Sequence, residues 1–111
     1  MNWVDAPVRS TEFVVIVGDV FERYTNGLFK ATPHRVLDTP WERRSIIRFN
    51  ALTPKTVIQP LQPFVTPQKP SLYTPMTMEQ HMETTMENLR LGKGAWCSET
   101  DTSLTATYRY E

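Results

Sequence analysis

Disulfide chemistry is excluded at once, because a single cysteine, Cys97, in 111 residues cannot close an internal bridge. An excess of charge of either sign is also missing. Twelve Lys and Arg residues balance twelve Asp and Glu residues, so no long-range field recruits nucleic acid, an anionic membrane surface or another highly charged partner. No apolar run approaches the roughly 20 residues that a membrane span requires. The first residues, Met-Asn-Trp-Val-Asp-Ala-Pro, have neither the basic stretch nor the apolar stretch of a secretory signal, and residues 2–8 are expected to belong to the folded part. A cytoplasmic, reducing setting follows as the expectation, with no nucleic acid and no membrane among the partners. Metal-binding side chains are sparse as well, with only two histidines, His34 and His81.

Proline, by contrast, is abundant, and it divides the chain. Six of the nine prolines fall at 54, 60, 63, 67, 70 and 75. A ring without an amide proton cannot feed a strand ladder or a helix interior, so residues 54–76 are expected to form an extended surface loop. Upstream, Phe13 to Val17 is a continuous apolar, largely β-branched run, too short for a helix, that reads as a strand buried on both faces. After Gly18, Asp19 stands at a helix N-cap position with Glu22 three residues on, and Asn26-Gly27 supplies a left-handed stop, which predicts a short helix of about two turns. His34 to Asp38 and Arg43 to Asn50 are two further strand candidates on either side of Pro40. In the second, the period of two sets Arg43, Ser45, Ile47 and Phe49 on one face, expected inward, and Arg44, Ile46 and Arg48 on the other.

Thr77 with Gln80 forms a second capping signature, and Met78, Met82, Met86 and Leu89 recur at spacings of four, four and three. These predict an amphipathic helix over residues 77–91, ended by Gly92, with the methionines packing into the core. The tail, 92–111, is mostly polar, with a weak alternation near Leu104 and Tyr108 that fits either an edge strand or a loose end. Cys97 is expected to be an unreactive thiol. No internal repeat is visible.

The chemically informative stretch lies between Gly18 and Phe49. It holds Gly18-Asp19, then Tyr24-Thr25-Asn26-Gly27, then Thr32-Pro33-His34-Arg35-Val36, and then Glu42-Arg43-Arg44-Ser45. In this order and spacing the chain resembles the isopenicillin N synthase-like family of iron(II) and 2-oxoglutarate-dependent dioxygenases. That family shows a Gly-Asp closing a strand, a Thr-Asn-Gly turn, a His-Arg-Val strand and, further along, an Arg-x-Ser. The likeness continues through the proline-rich stretch to Tyr73 and the start of the Thr77 helix.

What the resemblance implies is a mainly β fold with helices, part of a double-stranded β-helix (jelly-roll, cupin-like). Residues 1–53 would be the C-terminal half of its core, 54–76 the proline-rich loop, 77–91 the C-terminal helix and 92–111 a polar tail. His34 matches the distal histidine of a two-histidine, one-carboxylate facial triad for Fe(II), a geometry that leaves positions open for other ligands. Arg43 and Ser45 match the Arg-x-Ser that receives the distal carboxylate of 2-oxoglutarate. An i, i+2 pair on a strand shares a face, and a guanidinium offers a planar fork to a carboxylate. In some members the same pair binds another carboxylate or an organic reductant such as ascorbate. The implied activity couples oxidative decarboxylation of 2-oxoglutarate, with O2, to oxidation of a small-molecule substrate. Asp19, Asn26 and Gly27 are assigned to capping and turn geometry.

The family's other two ligands, a His-x-Asp or His-x-Glu, lie on a strand well upstream of the distal histidine, and only 33 residues precede His34 here. His81-Met82-Glu83 spells His-x-Glu but falls inside the predicted helix, where i and i+2 point about 200° apart and cannot chelate one ion together. The expectation is therefore the C-terminal portion of a larger enzyme, partnered by its missing N-terminal part, inactive by itself and weak for iron. The alternative from a different class is a non-catalytic β-rich interaction module, whose open strand edges favour pairing with another chain.

Overall fold

The computed structural model describes residues 3–7 and 9–92. Expectations for Cys97 and for the tail beyond Gly92 lie outside the described residues. In chain order the elements are helix α1 (Asp19–Tyr24), strand β1 (Val57–Ile58), a 3-10 turn (Gln62–Phe64), strand β2 (Met76–Thr77) and helix α2 (Met78–Arg90).

Helix α1 begins one residue earlier than its capping signature suggests. Gly18 is the N-cap and makes no side-chain cap bond, while Asp19 is the first helical residue. Its carboxylate accepts from the Val20 amide at 2.9 Å. Glu22 does not reach back to the helix start but turns into the interior, where only 1% of it is exposed. The stop is as read: Asn26 and Gly27 both take left-handed backbone, φ 50° and 74°, and the Gly27 amide closes onto the Glu22 carbonyl at 2.9 Å.

The proline-rich stretch is the largest departure from expectation. It forms neither a long strand nor a long helix, yet it supplies the centre of the packing. β1 and β2 pair antiparallel, Val57 with Thr77 and Ile58 with Met76, in short windows between prolines where each amide is available. Thr66 and Lys69 close a further bridge with two reciprocal 3.0 Å backbone bonds. Ile58 is fully buried and Tyr73 nearly so, with Met78 beside them as the buried apolar side chains of the described residues. The Leu61 amide donates to the Tyr24 carbonyl at 3.0 Å, which ties this stretch to the end of α1.

Helix α2 follows β2 without a break. Thr77 Oγ1 accepts from the Gln80 amide at 3.2 Å and Gln80 Oε1 accepts from the Thr77 amide at 2.9 Å, a reciprocal capping box. The Met78 and Glu79 amides, which have no partner within a helix, donate to the Thr56 and Pro54 carbonyls at 2.9 and 3.0 Å. The helix's buried face differs from the methionine stripe. Met78, His81 and Asn88 point inward with Thr85 half-buried between them, whereas Met82, Met86 and Leu89 are 42–58% exposed. The stripe sits on the flank of the buried face, and His81 turns inward to a partner, its Nε2 2.6 Å from Asp19 Oδ2.

The three longer strand candidates form no strand among the described residues. Phe13 is 96% and Val15 90% exposed, and Ile46 and Phe49 are as open on one face as on the other. No inward face is therefore distinguished for Arg43, Ser45, Ile47 and Phe49, contrary to the alternation. Residues 3–7 are likewise exposed and carry no regular element, although Arg35 lies 4.3 Å over the Trp3 ring. The reason is physical: a strand ladder needs a neighbouring strand, and among the described residues the backbone bond found for these segments is the single one from the Thr32 amide to the Val17 carbonyl. Among the described residues the sheet is the two-stranded β1–β2 pair.

Candidate metal and anion site

His34 is exposed, two residues beyond Thr32, in a stretch without a regular element. Its Nδ1 lies 2.9 Å from the Thr32 carbonyl oxygen. A carbonyl only accepts, so Nδ1 carries the proton, and in the neutral ring Nε2 presents its lone pair outward. That is the donor state a metal requires. Arg43 and Ser45 lie further along the same exposed stretch, and no hydrogen bond joins any two of His34, Arg43 and Ser45. The neighbour Arg44 is engaged locally instead, its Nη2 2.9 Å from Glu42 Oε1 with both ends open to solvent, a contact of little energetic weight. Among the described residues no group of three or more His, Cys, Asp or Glu side chains could hold a metal ion. The residues present thus fit one donor of an iron centre and not a complete ligand set.

The segment leading to His34 is anchored from below by a buried carboxylate. Glu22 Oε1 accepts from Tyr73 Oη at 2.8 Å and from Lys30 Nζ at 3.1 Å, and Oε2 accepts from the Ala31 amide at 2.6 Å. The next amide, Thr32, donates to the Val17 carbonyl at 3.0 Å. Arg23, also buried, places its guanidinium 5.1 Å from the centre of the Tyr73 ring. On the other side of α1, Asn26 is fully buried and clamps the proline-rich stretch. Its amide nitrogen donates to the Phe64 and Pro70 carbonyls at 3.0 Å each, and its Oδ1 accepts from the Leu72 amide at 2.8 Å.

His81 is not a metal ligand here. It is buried in α2 with Nε2 2.6 Å from Asp19 Oδ2, while Glu83 faces solvent, as the helical spacing requires. Burial pushes the Asp19 carboxyl up, but the hydrogen bond and charge of His81, with help from the Val20 amide, outweigh it and hold the carboxyl below its usual range. Asp19 and Asn26 are structural, though through partners far along the chain rather than through local capping alone. Glu22, Tyr73 and His81 were not singled out for these roles by the sequence. No local signal pointed to them, because a capping box accounted for Glu22 and its Tyr73 partner lies 51 residues away.

Residues 1–51 match the model of the 2OG-Fe(II) oxygenase superfamily, a range that contains His34, Arg43 and Ser45, and over it the chain belongs to that superfamily. Among its relatives are thebaine 6-O-demethylase of Papaver somniferum, 36% identical over 73 residues, which are 65% of this chain and 20% of that protein. Gibberellin 2-beta-dioxygenase 3 of Arabidopsis thaliana is 36% identical over 96 residues, 82% of this chain and 29% of that protein. Jasmonate-induced oxygenase 2 of Arabidopsis thaliana is 34% identical over 81 residues, 72% of this chain and 22% of that protein. The chain thus spans between a fifth and a third of the length of these relatives. No solved structure matches it.

Proposed function

We propose that the chain is the C-terminal portion of an Fe(II) and 2-oxoglutarate-dependent dioxygenase, contributing His34 as one iron ligand and Arg43 with Ser45 as the receptor for the co-substrate's distal carboxylate. The observation that carries this reading is that the superfamily match spans all three residues. It is supported by the His34 ring, whose Nδ1 is committed to the Thr32 carbonyl so that Nε2 is the nitrogen left to coordinate. When bound, iron would supply the oxidative chemistry, with O2 and 2-oxoglutarate as reactants and a small molecule as substrate. The chain's own part is one ligand and one anion receptor. In the whole enzyme residues 13–17, 34–38 and 43–50 would be strands of a double-stranded β-helix, paired with strands from upstream sequence, and the setting would be cytoplasmic.

With one donor, the isolated chain should bind Fe(II) weakly and turn over nothing. Supplying an upstream oxygenase segment that carries His-x-Asp, fused or in trans, should raise Fe(II) affinity in a way that depends on His34. Calorimetric titration with and without His34→Ala tests this, and equal iron binding by both would refute the role. The second reading, a β-rich interaction module, is favoured by one observation, the apolar side chains left open at Phe13, Val15, Ile46 and Phe49. It predicts association with another chain that is indifferent to His34.

A further inference from the structure

We infer that Glu22 is a positioning residue for His34, setting the tautomer of the imidazole through the backbone of residues 30–32. The inference rests on the reading of His34 as a ligand for its purpose, but the physical coupling is independent of iron.

Glu22 is a carboxylate with 1% exposure, and a helix residue is seldom so deeply placed without partners that compensate it. Its three donors do not come from one place. Tyr73 reaches it across 51 residues from the proline-rich stretch, while Lys30 and the Ala31 amide belong to the segment that runs directly into His34. Thr32, fixed next in line by the hydrogen bond its amide donates to the Val17 carbonyl, supplies the carbonyl that receives His34 Nδ1. The path from Tyr73 to the imidazole therefore passes through a buried acceptor, one held peptide unit and one held carbonyl. His34 itself is exposed, so packing does not fix its ring. The hydrogen bond to Thr32 is what selects the Nδ1–H form, and that bond is only as well placed as the backbone beneath it.

Glu22→Gln keeps size and shape but breaks the scheme. The Lys30 ammonium and the Ala31 amide can only donate, so whichever way the new side-chain amide is turned, its own NH2 faces a donor. The side-chain nitrogens of His34 are read by long-range proton–nitrogen NMR on the 111-residue chain, in spectra recorded at rising pH until the pattern of the neutral ring no longer changes. The wild type should show the Nδ1–H tautomer. In Glu22→Gln the population should move toward the Nε2–H form, and exchange of the Ala31 and Thr32 amides should quicken about 10- to 150-fold, the loss of a charge-assisted hydrogen bond. The His81 ring and the amides of α2, which do not touch Glu22, should be unchanged, separating this effect from general loosening. Tyr73→Phe removes one donor and should act in the same direction to a smaller extent. If Glu22→Gln does not fold, Tyr73→Phe decides alone. A folded variant with unaltered His34 tautomer and Ala31 exchange overturns the coupling, as does a wild-type His34 already in the Nε2–H form. Because no metal enters the experiment, failure here leaves His34 open as a ligand, and failure of iron binding would leave this coupling standing.

Discussion

Replacing Asn26 should do more damage than any other single change in the described part of the chain. The residue combines left-handed backbone, φ 50°, with three hydrogen bonds to the backbone of residues 64, 70 and 72. Those partners are only part-buried, so each lost bond is worth about 1 kcal/mol rather than the higher cost of a fully buried orphan. Three bonds give about 3 kcal/mol, and placing alanine in the left-handed region adds about 1 kcal/mol. A chain of this size is stable by roughly 0.05 kcal/mol per residue at the low end, or about 5 kcal/mol. The described residues bury only three large apolar side chains, which argues for that end. Asn26→Ala should thus bring the fold close to its midpoint in water. Asn26→Gly removes the conformational cost but not the lost bonds, so it should lie about 1 kcal/mol above alanine and still well below wild type. Urea unfolding followed by far-ultraviolet circular dichroism measures all three. A loss of under about 1 kcal/mol for alanine would refute the clamp as the main tie between α1 and the proline-rich stretch. Equal losses for alanine and glycine would show that the left-handed backbone contributes nothing.

A similar contrast holds for glycines. A Cβ on Gly27 would sit 3.3–3.4 Å from Lys30 Nζ, Leu72 Cδ1 and Tyr73 Oη at φ +74°, whereas one on Gly18 meets nothing within 4 Å. Gly27→Ala should lose about 1–2 kcal/mol in thermal or urea unfolding while Gly18→Ala changes little. For Asp19 the folded carboxyl is held below its ordinary value, so its contribution is full above about pH 3.9 and fades as pH falls through the lower folded value. The stability gap between wild type and Asp19→Asn should accordingly be present at about pH 5 and narrow below about pH 3.9, and a gap that widens with acid would reverse the sign of the argument. In the complete enzyme, Arg43→Ala should weaken 2-oxoglutarate about 10- to 150-fold through loss of a charge-assisted bidentate contact. Arg43→Lys should recover part of that loss and Arg44→Ala should matter little, as read from the co-substrate dependence of succinate formation; equal losses at both arginines would place the receptor elsewhere.

What could be read from the sequence was whatever neighbours in the chain settle among themselves. The Thr77 and Gln80 box and the left-handed stop at Asn26-Gly27 depend on residues within a turn or two, and both are found where they were expected; the family resemblance, carried by motifs in their order along the chain, is met by the superfamily match over residues 1–51. Tertiary structure decided the rest. Glu22 looked like a capping residue until Tyr73, 51 residues away, was placed over it. Asn26 looked like a turn residue until its amide met the carbonyls of Phe64 and Pro70, 38 and 44 residues on. Periodicity alone chose the methionines of α2 as the inner face, but Asp19 draws His81 inward and leaves Met82 and Met86 on the flank. The strand patterns fell short for the converse reason: alternation describes a segment's preference, while a strand exists only when a neighbour completes its hydrogen bonds. In residues 13–17, 34–38 and 43–50 the preference is written, and the described residues hold no neighbour to realise it.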